Sequence, residues 1–498
     1  MIFGGKKVMK KWLLLLCFFY NAVLLSQTVL NSFSLNLNRP LENGQILNIE
    51  DVKTNDIYVF AADDKYINIL KYNKSLFLTN QFTDSIKLAK DRSLIGHSIG
   101  EDGNPILYWA TNNLRNIRFI KYYLETKTTK ALNFDLPPQN EYLITTFQKN
   151  NNFYILCKER DQQHLLLYEF NNGKAEVKMF DLSGIQFQNE RGQSLAFSTV
   201  IRYYPIEKMD SDNFNTLDKT TEKTKMYVLD DHILLTFDYS LKKTQILDLN
   251  LTTVDVTEKN FNQPVTKKAS KASNSFFYEN RLFQIKAGNE ELLFDIKDFN
   301  SGKTLKSVAV SKNDTISFKN SPLFAQISEK KPQEIKNTAK FLKQLSALNI
   351  GISALKNKEN TFLSLGGFAE YEVSNFSYGQ TNFFGDFDNG FGGYSEYASK
   401  MVYFDTTINS DLEFVRQKQS EPLAIDNIFY YLSINKNISL QNILKLKDYY
   451  ILGYYDTSLK QYIMRKFTDG FYYEEKNPII NKAILSNPFS FDNKSIKN

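Results

Sequence analysis

The sequence predicts an all-β chain, a β-propeller of about seven four-stranded antiparallel blades, with one helix and one Gly/aromatic insert. Three observations carry that expectation. Short apolar runs of about five to seven residues recur along the chain and are too short for core helices. Turn-forming residues separate these runs and group them in fours, with a period of about 40–50 residues. Aromatic residues make up 14% of the chain, with 40 Phe and 29 Tyr, which suits sheet faces that interdigitate with neighbouring sheets.

The clearest unit is Ser93–Pro137. Leu94–Ile99 is short and apolar, and Glu101-Asp102-Gly103-Asn104 turns the chain, because Gly and Asn tolerate positive φ. Ile106–Ala110, Ile117–Leu124 and Ala131–Leu136 follow, separated by Asn112-Asn113 and Thr126–Thr129 and closed by Pro137-Pro138. The same order recurs in Tyr142–Phe147, Phe153–Cys157, Leu165–Phe170 and Glu176–Leu182. It recurs again in Met226–Leu229, His232–Phe237, Thr244–Leu249 and Thr253–Glu258, and in Ser275–Phe277, Leu282–Ile285, Leu292–Ile296 and Thr304–Val310. Near the start, Ile46–Ile49, Ile57–Ala61, Tyr66–Tyr72 and Leu76–Phe82 fit the plan. Near the end, Ile443–Leu446, Tyr449–Gly453, Gln461–Lys466 and Phe471–Glu474 do so. A broken copy spans Asn349–Phe414 and carries the insert, so the propeller is expected over residues 45–475. The repeat is one of pattern, not of letters, and the Trp-Asp signature of one named repeat family is missing.

Three connecting stretches read differently. Residues 27–44 are polar and serve as a linker or a ring-closing strand, a role that residues 476–498 could also fill. Pro205–Thr224 is charged and Thr-rich and reads as a long solvated connection. Pro332–Leu348 reads as the one convincing helix, with Pro332 in its first turn and Ile335, Ala339, Leu342 and Leu345 near helical spacing. Ala424–Ile434 fits either a strand or a helix.

Residues 1–26 read as a signal peptide. Lys6, Lys7, Lys10 and Lys11 precede the apolar run Trp12–Leu25, and Ser26-Gln27 offers a cleavage point after a small residue. The run falls short of the ~20 residues a membrane span needs, so no transmembrane span is expected in the mature chain. Cys17 follows leucines instead of a small residue and does not fit a lipid-acylation site. The whole chain carries +6; taking away those four lysines leaves +2. The apparent basicity is therefore largely the leader's, and no nucleic-acid partner is implied. Cys157 then stands alone, so no disulfide forms within the mature chain. An exported protein without disulfides fits a bacterial envelope, periplasmic or extracellular.

The chemical signals are thin. Gly96-His97-Ser98-Ile99-Gly100 resembles the nucleophile elbow of α/β-hydrolase lipases and esterases, but the elbow needs a helix after it. Here a turn and Pro105 follow, and no histidine comes after His232, so Ser98 is not read as catalytic. Asp386-x-Asp388-Asn389-Gly390 resembles the start of a calcium loop, but its Gly is fifth and Tyr397 stands twelfth, so it reads as an Asx/Gly turn. Three dispersed histidines give no metal-ligand spacing, and no phosphate-binding glycine loop opens a helix; no metal and no cofactor are expected.

The remaining candidate is the insert Ser374–Ser399, where aromatic residues alternate with Gly and small polar residues between the second and third strands of the sixth unit. Phe383, Phe384, Phe387, Phe391 and Tyr394 are its expected ligand-binding residues, since flat rings with adaptable Gly and Asn suit a sugar or a protein surface. Burial of these rings over the propeller's own channel is the competing structural reading. The chain is similar in architecture to the β-propellers of exported bacterial proteins. That resemblance implies a non-catalytic protein that binds a protein or carbohydrate ligand through one rim. The alternative is a propeller hydrolase or lyase whose carboxylates converge in space from separate blades. An outer-membrane barrel would need spanning strands of about 9–11 cleanly alternating residues, longer than most runs here.

Overall fold

The computed structural model describes residues 28–40, 44–85, 92–111, 116–135, 141–188, 193–211, 213–268, 270, 272–328, 330–357, 359–374, 395–416 and 423–469. The leader, Phe383, Phe384, Phe387, Phe391 and Tyr394 of the insert, Asp386–Gly390, and residues 476–498 lie outside the described residues.

The chain opens with strand β1 (Val29–Ser34). Three antiparallel meanders follow, in which each strand bonds to the next. They are β2 (Gln45–Glu50), β3 (Ile57–Ala62), β4 (Tyr66–Tyr72) and β5 (Leu78–Ser85); β6 (Arg92–Ile99), β7 (Pro105–Thr111), β8 (Asn116–Tyr123) and β9 (Thr128–Asp135); and β10 (Glu141–Lys149), β11 (Asn152–Glu159), β12 (His164–Asn171) and β13 (Lys174–Asp181). A short hairpin, β14 (Phe187–Gln188) and β15 (Ser194–Leu195), leads into helix α1 (Phe197–Tyr203). β16 (Ile206–Met209) and α2 (Leu217–Thr220) precede the meander β17 (Thr224–Val228), β18 (His232–Phe237), β19 (Lys243–Asn250) and β20 (Val256–Asn262). Then come β21 (Ala272–Tyr278), β22 (Arg281–Ala287), β23 (Glu291–Asp298) and β24 (Thr304–Ser311). The next sheet takes β25 (Phe324–Ile327), β26 (Gln333–Glu334), β27 (Asn349–Asn357), β28 (Asn360–Ser374) and β29 (Ser395–Ile408), with helix α3 (Thr338–Leu345) between β26 and β27. Helix α4 (Ala424–Ile434) precedes β30 (Ile438–Lys445), β31 (Tyr450–Asp456) and β32 (Gln461–Phe467).

The fold is all-β and that of a β-propeller, made mainly of four-stranded antiparallel sheets, two of which carry a fifth strand. The described residues divide into two compact units, one of residues 28–180 and 423–469, the other of residues 181–416.

In the first unit the middle strands are continuously apolar because both of their faces are covered. Ile57, Val59 and Ala61 of β3 join the cluster that holds Ile451, Tyr455 and Met464, while Tyr58, Phe60 and Ala62 join the one that holds Leu107 and Trp109. Ile106, Tyr108 and Ala110 of β7 face the other way, onto Phe153 and Ile155 of β11. Alternation along a strand thus sends neighbours to opposite interfaces, and both are dry. Tyr108 stacks on Phe153 with centroids 4.5 Å apart. Cys157 is buried in this last cluster. The outer strand β9 is exposed along most of its length.

The same unit pairs the first and last described strands. β1 lies antiparallel beside β32, from Val29↔Arg465 to Ser34↔Gln461. The polar N-terminal stretch is therefore a strand, and it holds the outer position that the sequence assigns to Phe471–Glu474. Those residues lie outside the described ones. Asn48 laces β2 to this sheet: its backbone N–H donates to Asn442 Oδ1 at 2.9 Å, and Tyr462 donates to its Oδ1 at 2.7 Å.

In the second unit the expectations change more. Pro205–Thr224 is not a solvated connection. β16 adds in parallel to β17, with Ile206↔Thr224, and Phe214, Asn215, Thr216 and Leu217 are buried. The helix expected over Pro332–Leu348 is confined to Thr338–Leu345, because Asn337 caps it by accepting from the Lys340 N–H at 2.9 Å. Gln333 and Glu334 instead form the edge strand β26 beside β25. Phe341, Leu342 and Leu345 pack into the large apolar cluster shared by β21–β23 and β27–β29. Ala424–Ile434 is a helix. The sheet with the insert takes its outer strands, β25 and β26, from upstream of its inner ones.

Candidate functional site

The insert is flanked by the longest strands among the described residues. β28 and β29 pair in unbroken register from Thr361↔Ile408 to Ser374↔Ser395. β27 stops pairing at Asn349↔Phe368, and β25 reaches only Lys400. Ser328 still bonds Ser399, and from Tyr371 onward the two strands continue as a ribbon bonded to each other. Tyr371 on this ribbon is 43% exposed.

The hydrolase-like pentapeptide is a strand. Gly96–Ile99 lies in β6, and the Ser98 hydroxyl is buried against Tyr108 OH at 2.8 Å. Burial pushes the His97 imidazole down to about 4. Gly96 has a packing reason: a Cβ there would come within 2.2 Å of the Phe153 ring from the next sheet. The motif's glycine and serine are thus explained without a nucleophile.

A polar interior that the sequence reading did not mark lies between the meanders β17–β20 and β21–β24. Lys225 Nζ and Asp238 Oδ2 are 3.2 Å apart, and both side chains are fully buried. Lys225 also donates to Asn274 Oδ1 at 2.5 Å. Asp238 accepts from Thr244 Oγ1 at 2.7 Å, Ser275 Oγ at 2.8 Å and the Ser275 N–H at 3.1 Å. Burial pulls the Lys225 ammonium below its ordinary value, and Asp238 opposes that. Asn274 Nδ2 donates to the Thr221 and Ile350 carbonyls, tying the end of α2 to β27. Gly351 permits this approach: a Cβ there would sit 2.9 Å from the Thr220 carbonyl carbon. An ion pair so fully engaged and sealed from solvent holds sheets together; it is not placed to attack a substrate.

The most chemically distinctive groups among the described residues lie on the β16–α2 connection. Burial pushes the Glu207 carboxyl up to about 7; Lys219, at 3.8 Å, opposes this, while Glu222, Asp218 and Asp210 add to it. Asp210 moves the other way. Burial raises it, but Lys208 at 3.2 Å, with Lys219, brings it below the ordinary carboxylate value. One carboxyl that keeps its proton near neutrality, close to one that stays ionised, is what acid–base chemistry requires. Glu207 is raised in the fold, so its contribution to stability is full below the unfolded value near 4.5 and is lost as pH rises toward 7. Glu207→Gln is therefore expected to melt higher than the parent at pH 8 and the same at pH 4. The gain is on the order of 1–2 kcal/mol, since the group is partly screened by solvent. Parallel melting curves at both pH values would disprove the assignment.

No family model matches the chain, and no curated protein matches it. Among solved structures it is similar to the Nup133 β-propeller domain of Vanderwaltozyma polyspora, at 10% identity, covering 54% of this chain and 76% of that one, with a TM-score of 0.25. It is also similar to the WD40 domain of SCAP from fission yeast, at 10% identity over 89% and 98% of the two chains, TM-score 0.28. A third is the dihydro-heme d1 dehydrogenase NirN, at 9% identity over 89% and 78%, TM-score 0.29. With scores this low, the fold is read from the sheets themselves.

Glu207, Asp210, Lys225 and Asp238 were not singled out in the sequence because nothing local marks them. Asp and Glu are plentiful near strand ends, and only pairing between strands shows which of them are buried. The one usable signal was the density of charge in Pro205–Thr224, which reads equally well as a solvated loop.

Proposed function

We propose that this is an exported, non-catalytic β-propeller protein that binds a protein or glycan partner through the rim carrying the Ser374–Ser399 insert. The observation that carries this reading is the β28–β29 ribbon, which runs past the rest of its sheet to Ser374 and Ser395; Ser395–Ser399, read from sequence as insert, belong to β29. A hydrogen-bonded two-stranded support suits a presented binding loop, because ordering the base lowers the entropy cost of engagement. The composition of the insert supplies Phe383, Phe384, Phe387, Phe391 and Tyr394 as the contact residues.

The test replaces residues 375–394 with Asn-Gly, joining Ser374 to Ser395 through a two-residue turn. The shortened chain is expected to melt within a few degrees of the parent and to lose at least tenfold in affinity for whatever partner a glycan array or crosslinking pull-down finds. Undiminished binding would move the site elsewhere. Secretion of a fusion bearing residues 1–26, and its loss when Lys6, Lys7, Lys10 and Lys11 become Glu, tests the export part of the reading.

A second reading, a hydrolase or lyase, is favoured by one observation: the opposite displacement of Glu207 and Asp210. Turnover of any glycoside or ester panel that is abolished in Glu207→Gln would support it over the first.

A further inference from the structure

We propose that Tyr203 and Tyr204, with Glu258 and Arg202, form a saccharide-binding shelf in the second unit, separate from the insert, with the buried Tyr239 as its support. Helix α1 ends on Tyr203, whose side chain is 68% exposed. The Arg202 guanidinium lies 5.3 Å from its ring centroid. The next ring, Tyr204, stacks on Tyr239 at 5.6 Å with planes 12° apart. Tyr239 is fixed from below by Phe237 at 6.4 Å, which itself packs on Phe187 and Phe197. The shelf therefore stands on a buried aromatic base and is preorganised.

A chain of hydrogen bonds runs from the buried Tyr239, behind Tyr204, to a carboxylate. Tyr239 OH donates to Gln245 Oε1 at 3.3 Å, and Gln245 Nε2 donates to Glu258 Oε1 at 2.9 Å. Asn260 Nδ2 donates to the same oxygen at 2.7 Å. Burial pushes the Tyr239 hydroxyl up to about 12, so it remains a donor throughout the physiological range. Two amides thus hold Glu258 by one oxygen. Among the described residues no hydrogen bond falls on Oε2, and Glu258 is only partly buried.

This combination matches a sugar better than a peptide or an apolar ligand. A pyranose offers a C–H face that lies flat on an aromatic ring. It also offers hydroxyls that donate to a fixed carboxylate while accepting from a guanidinium. An apolar ligand would need a dry pocket, and a bound strand would need an open sheet edge.

The experiment uses the full chain on a glycan array, followed by calorimetric titration of the strongest saccharide. Four proteins are compared: the parent, Tyr203→Ala, Glu258→Gln, and the chain with Asn-Gly in place of residues 375–394. The expected result is a saccharide that the parent and the insert-replaced chain bind alike, and that Tyr203→Ala and Glu258→Gln each bind at least tenfold more weakly. Tyr203 is exposed, so Tyr203→Ala is expected to leave the melting temperature unchanged. No saccharide bound by the parent, or both single variants binding as the parent does, overturns the shelf. Binding that is lost only on replacing the insert rejects the shelf and leaves the insert as the site.

Discussion

Lys225→Met is expected to lower the unfolding free energy by about 3–5 kcal/mol, among the largest effects of any single substitution in the second unit. The reason is the orphan it creates. Asp238 is 1% exposed and would lose the cation it contacts, in a place sealed from solvent. The three donors from Thr244 and Ser275 would remain, and they are neutral. Changing both partners to apolar residues, Lys225→Met with Asp238→Leu, is expected to recover part of the loss, since a buried ion pair often gains little over a well-packed apolar pair. Urea denaturation of the parent, the single variants and the double variant measures the coupling directly. A single variant within about 1 kcal/mol of the parent would mean that solvent reaches the pair.

A chain beginning at Gly44 should be destabilised by a comparable amount, on the order of 5 kcal/mol. Two buried leucines, Leu35 and Leu37, would be lost, each contributing about 1.5–3 kcal/mol. β32 would also lose its outer neighbour along the whole register from Val29↔Arg465 to Ser34↔Gln461. An exposed edge of that kind invites association with other chains, so aggregation on heating is expected alongside the lower melting temperature. Adding a synthetic peptide of residues 28–40 should restore part of the stability. If the truncated chain melts with the parent, the pairing of β1 with β32 contributes nothing.

The repeat was legible where both faces of a strand are covered. ILYWA at Ile106–Ala110 is apolar at every position because Ile106, Tyr108 and Ala110 face one neighbour and Leu107 and Trp109 face the other. Turns were legible for a similar reason. Asn172 and Gly173 both take positive φ, and few other pairs do so at low cost. Boundaries were harder. The strand expected at Thr253–Glu258 runs from Val256 to Asn262, because Asn250 accepts from the Thr252 and Thr253 N–H groups and holds them in the turn. Pro332 looked like the start of a helix, yet the Asn337 side chain decides where the first turn forms.

The sequence by itself determined the class of fold, the repeating four-strand pattern and the discounting of Ser98 as a nucleophile. Those depend on local matters: run length, turn residues and the neighbours of a motif. The tertiary structure alone decided that the N-terminal strand completes the last sheet, that β25 and β26 come from upstream, and that Pro205–Thr224 is built into a sheet. It also decided which charges are buried. Pairing partners hundreds of residues apart, such as Asn48 and Asn442, leave no trace in a local pattern. A carboxylate's character is set by what the fold brings around it, as Glu207 and Asp210 show from positions three residues apart.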